Sequence, residues 1–192
     1  MEKFQKSLFL FTRDLRIEDN TGLIQACKNS ENVLPCFIFN PKISWLKDSK
    51  IRTQFLIESL FDLEDQFNKK DSKLNIFSGK LNEVIQKIIN EQKIDAIFTN
   101  LDYTPYAKQK ITYLKELSNK KNVSLNLFHD VLLHEIGTIK TDKGMPYVIY
   151  SQFFKKAKNF PVIKPQKNNF KNFEKSHIKN NVNLKDLMKK YS

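Results

Sequence analysis

The chain has 192 residues, 40% of them hydrophobic and 12% aromatic, with a formal charge of +12; that much apolar content excludes disorder throughout and suffices for one well-buried domain with a short appendage. Its longest apolar run, VLPCFIF at 33–39, is far short of the ~20 residues a spanning helix needs, and the start MEKFQKSLFLFTRD meets charge too early for a signal peptide. Two cysteines, Cys27 and Cys36, are too few for a disulfide framework or a metal knuckle and sit in apolar settings, so a soluble protein of a reducing, cytoplasmic compartment is expected.

In chain order, SLFLFT at 7–12 reads as a first strand. FTRDLRIEDNTGL follows, packing Arg13, Asp14, Arg16, Glu18, Asp19 and Asn20 ahead of a helix beginning near Thr21. Asp19 or Asn20 can cap that helix, and two arginines among three carboxylates can fix the loop. The stretch offers no histidine, cysteine or lysine poised for proton transfer or attack, so its expected task is positioning.

VLPCFIF at 33–39 is a second strand, and RTQFLIESLFDLEDQFNKK places Leu56, Leu60, Leu63 and Phe67 on one helical stripe. A strand at 74–78, a helix carrying Leu81, Val84, Ile85, Ile88 and Ile89, a strand at 94–99, a helix over about 106–117 and a strand at 123–128 complete the alternation. Five near-continuous apolar strands with helical connections predict an α/β fold: a doubly wound, five-stranded parallel sheet with helices on both faces. TIKTDKGMPYVIY reads as a hairpin turning at Gly144, SQFFKKAKNF as a short aromatic helix, and PVIKPQKNNFKNF as a connector unable to form a core. NLKDLMKKYS starts a helix with nothing after it to pack against. The domain is expected over 1–160 and a Lys/Asn-rich linker or tail over 161–192.

The charge belongs mostly to that tail: residues 155–192 hold eleven lysines against Glu174 and Asp186. Together with the many asparagines this reads as a solvated segment and a compositional bias, not as a nucleic-acid surface. In a doubly wound sheet ligands sit beyond the carboxyl ends of the strands, where the FTRDLRIEDN stretch falls. Glycines 22, 79, 137 and 144 form neither a G-x-G nor a G-K-[ST] pattern, so both phosphate-cradling fingerprints are missing. His129, His134 and Glu135 lack the H-E-x-x-H spacing, position 138 being Thr138, and no metal is expected.

FTRDLRIEDNTGLIQA followed by VLPCFIFNP resembles the amino-terminal start of the DNA photolyase/cryptochrome family: a strand, R-x-D-L-R, a D-N pair, then a strand ending in D-P. Three more segments agree in order. SKIRTQFLIESLFDLEDQF resembles the family's long helix opening on an arginine, IFTNLDYTPYAKQK its N-x-D-Y-x-P-Y-x-x-x-R turn, and TDKGMPYVIYSQFFKKAKN its G-x-P-Y-x-V-F-T-P-F hairpin. The likeness spans about residues 7–160. It departs at Asn40, where an aspartate is usual, at Lys80, and at Tyr150, Ser151, Gln152 and Phe154.

The resemblance implies the Rossmann-like amino-terminal domain of a photolyase or cryptochrome, a light-harvesting and scaffold unit. FAD and the splitting of pyrimidine dimers would belong to a helical domain that this sequence does not match, so no catalytic residue is expected here and the chain alone is expected to be inactive. By position, the antenna chromophore would lie between Phe37, Phe39, Ser49, Arg52 and Phe55 on one wall and Asp102 and Thr104 on the other. Aromatic surface, a guanidinium and a carboxylate suit a planar, partly anionic ring, although Phe37 and Phe39 read equally as plain core. Tyr106 and Ala107 replace the Asn-Glu pair of folate-binding relatives, favouring a deazaflavin over folate, with a flavin also allowed. The implied partner is a helical FAD-binding domain or separate chain, with damaged DNA met only indirectly, in the cytoplasm or nucleoid. A homodimer through an apolar face at VIYSQFF and Trp45 is a further expectation. The alternatives are a stand-alone nucleotide or small-ligand module without photochemistry, and a purely structural one.

Overall fold

The computed structural model describes residues 3–41, 49–179 and 181–191; Trp45 lies outside them. The described residues form five strands and six helices in the order β1 (Phe4–Phe11), α1 (Thr21–Asn29), β2 (Ser30–Phe39), α2 (Lys50–Asn68), β3 (Asn75–Ser78), α3 (Leu81–Gln92), β4 (Ala96–Asn100), α4 (Pro105–Lys121), β5 (Ser124–Phe128), α5 (Tyr150–Ala157) and α6 (Leu184–Tyr191). All strand pairings are parallel, in the order β3-β2-β1-β4-β5. The chain thus begins in the middle of the sheet, winds one way to β3 and then the other way to β5. Among the described residues no helix is long and apolar enough to cross a membrane.

Strand alternation sends side chains to two separate cores. On one face Phe9, Phe11, Phe37, Phe39 and Phe98 meet α1 and the α2 stripe Ile57, Leu60, Leu63 and Phe67. On the other Leu8, Leu10, Leu34 and Ile97 meet Ile85, Ile88 and Ile89 of α3 and Ile111, Leu114 and Leu117 of α4. The expected stripes stand with shifts: Leu56 is only partly buried and Ile57 takes its place in the core, and Leu81 and Val84 pack partly buried against theirs. Helix ends follow their residue types. Asn20, Ser49 and Thr104 cap α1, α2 and α4 through their side-chain oxygens, while Lys93 and Asn122 close α3 and α4 in left-handed backbone.

Two expectations change after β5. Residues 138–150 form no strand pair; Thr141 and Gly144 close a turn in which the Thr141 N–H donates to the Met145 carbonyl at 2.8 Å. With Pro146 at its exit the segment lacks a second run of donors. The supposed tail, in turn, is part of the fold. From Gln166 onward it runs as a strap: Asn172 accepts the Val33 N–H at 2.8 Å, Glu174 donates its own N–H to the Val33 carbonyl at 2.8 Å, and Val182 donates to the Ile76 carbonyl at 2.6 Å. Phe173, Leu184 and Leu187 are buried in the α1/α2 core, and α6 lies against α2. The reason is geometric: β3 starts opposite Cys36, leaving β2 unpaired below that level, and the strap bridges to it at Val33. A few apolar anchors spaced through a polar segment suffice, although its composition reads as a linker.

Candidate functional site

Strand order reverses between β1 and β4, and the groups at their carboxyl ends converge there. Asp14 is buried and accepts the Thr12 N–H at 2.7 Å on one oxygen and the Asn100 Nδ2 at 2.6 Å on the other. Asn100 also donates to Asn20 Oδ1 at 2.8 Å and accepts the Gly22 N–H at 3.0 Å. Asn20 caps α1 by accepting the Leu23 N–H at 3.1 Å and donates to the Arg16 carbonyl at 3.1 Å. This network locks the β1 loop to the end of β4. A Cβ on Gly22 would collide with Asn100 Oδ1 and stand 3.1 Å from the Phe9 ring, so glycine is what allows α1 to approach β4.

The other charged groups of the loop are equally occupied. Arg16 reaches Asp130, just past β5, at 2.9 Å, and Asp130 accepts the Thr21 N–H at 2.8 Å. Glu18 accepts the Asn168 N–H at 2.8 Å, and Asp19 both accepts from and donates to the Gln166 backbone at 2.9 Å. The dense charge after the first strand is thus a clamp tying β1, β4, β5 and the strap together. Arg13 stands apart: its side chain is exposed and meets Asp102 at 3.5 Å. It borders a cleft of about 520 Å³ lined also by Leu15, Arg16, Phe55, Glu58 and Asp62, within the size range of small-ligand sites.

The expected site residues divide. Phe37 and Phe39 are 7% and 1% exposed and belong to the core, leaving too little surface to stack a ligand ring; their part in a chromophore wall is corrected to packing. Ser49 and Thr104 spend their hydroxyls on the Arg52 and Ala107 N–H groups as caps, at 3.4 and 3.3 Å. Arg52 is exposed on the first turn of α2, and Phe55, 71% exposed, projects from the next turn. Asp102 accepts the Tyr103 N–H at 2.6 Å and pairs with Arg13. The cleft therefore joins Phe55 to Asp102 through Arg13, a link the sequence reading missed. Asn100 was visible only as the first letter of the N-x-D-Y motif.

Lys110, on α4, is pushed down to about 8 by burial, against the opposing pull of Asp14 and Asp102. Burial, and then the charges of Asp102 and Asp130, push the Tyr103 hydroxyl up. Tyr103 Oη and His129 Nδ1 are both buried without a hydrogen-bond partner among the described residues. Among those residues no cluster of three or more His, Cys, Asp or Glu could hold a metal. The arrangement sets the exposed Phe55 ring and the Arg13 guanidinium beside an open cleft that also carries the Glu58 and Asp62 carboxylates.

The doubly wound parallel sheet defines an α/β domain of the kind that holds ligands at its switch point, and the open cleft lies beside that point. The chain belongs to the DNA photolyase family, whose model matches residues 7–169. It is similar to the archaeal photolyase of Sulfolobus tokodaii, with 28% identity and a TM-score of 0.85 over 98% of this chain and 42% of that one. That relative was described with two FAD molecules and the implication of a novel light-harvesting cofactor. The chain is 30% identical to the deoxyribodipyrimidine photo-lyase of Buchnera aphidicola (Acyrthosiphon pisum) over 94% of its length and 40% of the relative's. It is 28% identical to the cryptochrome DASH of Idiomarina loihiensis, covering 84% of this chain and 38% of that protein. It spans 38% to 42% of the length of these relatives.

Proposed function

We propose that this chain is the light-harvesting and scaffold domain of a photolyase or cryptochrome, binding an antenna chromophore and serving blue-light repair of pyrimidine dimers together with a helical FAD-binding partner. The observation that carries the reading is the match to the Sulfolobus photolyase over 98% of this chain. The cleft beside Arg13 and Phe55 adds a chemical reason. Phe55 offers an exposed ring face and Arg13 a guanidinium for an anionic edge, Asp102 pairs with Arg13, and Arg52 stands exposed on the turn of α2 before Phe55. A flavin or deazaflavin, which share a flat tricyclic ring, suits those groups; the Tyr106 and Ala107 positions argue against folate. When bound, such a ring supplies absorption in the near-ultraviolet and blue.

Electron transfer to a dimer belongs to FAD in the partner, so the work of this chain would be cytoplasmic or at the nucleoid, and contact with damaged DNA indirect. The test is titration of the purified protein with FAD, a deazaflavin and a folate, followed by fluorescence anisotropy. Saturable binding of a tricyclic ring, weakened at least tenfold by Arg13→Ala, is the expected result. Binding of ATP with none of the three would overturn the reading. The chain by itself is expected to leave thymine dimers intact under blue light, and measurable repair would contradict the division of labour.

A further inference from the structure

The two edges of the sheet are treated differently. At β3 the strap supplies cover: Val182 donates to the Ile76 carbonyl, and Asn181 Oδ1 accepts the Ile76 N–H at 2.6 Å. At β5 nothing comparable occurs among the described residues. The Ser124 N–H donates to Asp95 and the Phe128 carbonyl accepts from Leu101, so residues 124, 126 and 128 direct their backbone toward β4. Alternation then turns the N–H and C=O of Leu125 and Leu127 outward, and among the described residues none of these four groups has a hydrogen-bond partner.

Free strand edges in natural proteins usually carry a charge, a proline or a bulge that discourages pairing. β5, Ser-Leu-Asn-Leu-Phe, has no charge and no proline, and all five residues are half-buried and not fully covered. Its central Leu125-Asn126-Leu127 is also symmetric about Asn126. We propose that the β5 edge is a self-association surface on which a second copy of this chain pairs antiparallel, about a two-fold axis at Asn126, into one continuous sheet.

Several features fit a second copy. With the axis at Asn126, Leu125 of each copy stands opposite Leu127 of the other. The outward backbone groups of these residues are then the ones an antiparallel hydrogen-bonded pair exchanges, giving two bonds per pair. Both leucines lie on the α3/α4 face of the sheet, so the cross-strand contacts extend that core from one copy to the other. The absence of charge along β5 removes like-charge repulsion at the axis, where identical residues must face each other. Val131, Leu132 and Leu133 lie three to five residues past the end of the strand and are exposed, adding apolar surface near its end.

The experiment is sedimentation of the full chain over about 1 to 200 μM, the range in which modest self-association is seen. The wild type is expected to pass from monomer to dimer. Leu127→Pro removes an outward donor and none of the bonds to β4, and proline is tolerated on an edge strand; it is expected to weaken dimerisation at least tenfold with an unchanged circular dichroism spectrum. Asn126→Cys gives an independent reading. Residues facing each other in a non-hydrogen-bonded antiparallel pair have Cα atoms about 4.5 Å apart, within reach of a disulfide, and the native Cys27 and Cys36 are buried. Mild oxidation is expected to yield covalent dimer for Asn126→Cys and not for a control cysteine at the exposed Lys87. A wild type that stays monomeric throughout, a folded Leu127→Pro variant that dimerises as well as wild type, or cross-linking no better than the Lys87 control overturns the proposal. Should Leu127→Pro fail to fold, the cross-linking comparison decides.

Discussion

Asn100 shows how one side chain can hold a strand end, a loop and a helix in place: it donates to Asp14 and Asn20 and accepts from Gly22. Because these groups are buried, removing one leaves others unpaired, at a cost of roughly 1–3 kcal/mol for each. Asp14→Ala, which removes the acceptor of the Thr12 N–H and of one of the two Asn100 amide hydrogens, is expected to lower unfolding free energy by about 3 kcal/mol in urea titrations. Gly22→Ala, forcing a Cβ against Asn100 and Phe9, is expected to cost about 1–3 kcal/mol by overpacking. Lys110 adds a pH dependence. Its folded value of about 8 lies below its ordinary 10.5, so between those values the unfolded chain binds the proton more tightly, and stability rises with pH across that window. Denaturant midpoints at pH 7.5 and 9.5 should show the rise, and Lys110→Met should flatten it.

Among the elements, the strap departs furthest from its composition. Seven lysines and many asparagines from Gln166 onward describe a solvated segment, yet Phe173, Leu184 and Leu187 reach the core and Asn172 and Asn181 substitute for missing strand pairing. Phe173 packs edge-on against Phe67 with centroids 5.2 Å apart. Phe173→Ala is therefore expected to destabilise the whole domain by about 3–5 kcal/mol, read as a fall in melting temperature; a change under about 1 kcal/mol would return the segment to the status of a tail. Glu174 fastens the same strap. Burial pushes its carboxyl up, but the hydrogen bond and charge of Lys6, 2.9 Å away, hold it net below its usual value. Its contribution is present above the ordinary carboxylate range and is lost as pH falls through the lower folded value. Limited proteolysis is accordingly expected to cut within residues 166–182 faster in acid than at neutral pH.

At the scale of the whole molecule, the apolar residues Val148, Ile149, Tyr150 and Phe154 stay exposed, Val148 at 98%; they are where a helical partner would be sought. The variants that separate binding from folding follow from the burial pattern. Arg52→Ala, on the exposed turn of α2, is expected to weaken chromophore binding while changing stability by no more than about 0.5 kcal/mol. Phe39→Ala is expected to cost about 3–5 kcal/mol and to act on binding only through the fold; equal loss of binding and stability in Arg52→Ala would count against the cleft. By itself the sequence determined the five strands, their parallel winding, a cap at Asp19 or Asn20 and the family, because hydrophobic period, capping residues and four ordered motifs are local signals. Only the tertiary structure decided that the charged loop is a clamp, that Phe37 and Phe39 are core, and that the lysine-rich end is a strap. Those roles depend on partners lying roughly 80 to 150 residues away in the chain, as between Asn20 and Asn100 or Glu18 and Asn168, and no local pattern records which distant group a polar side chain will meet.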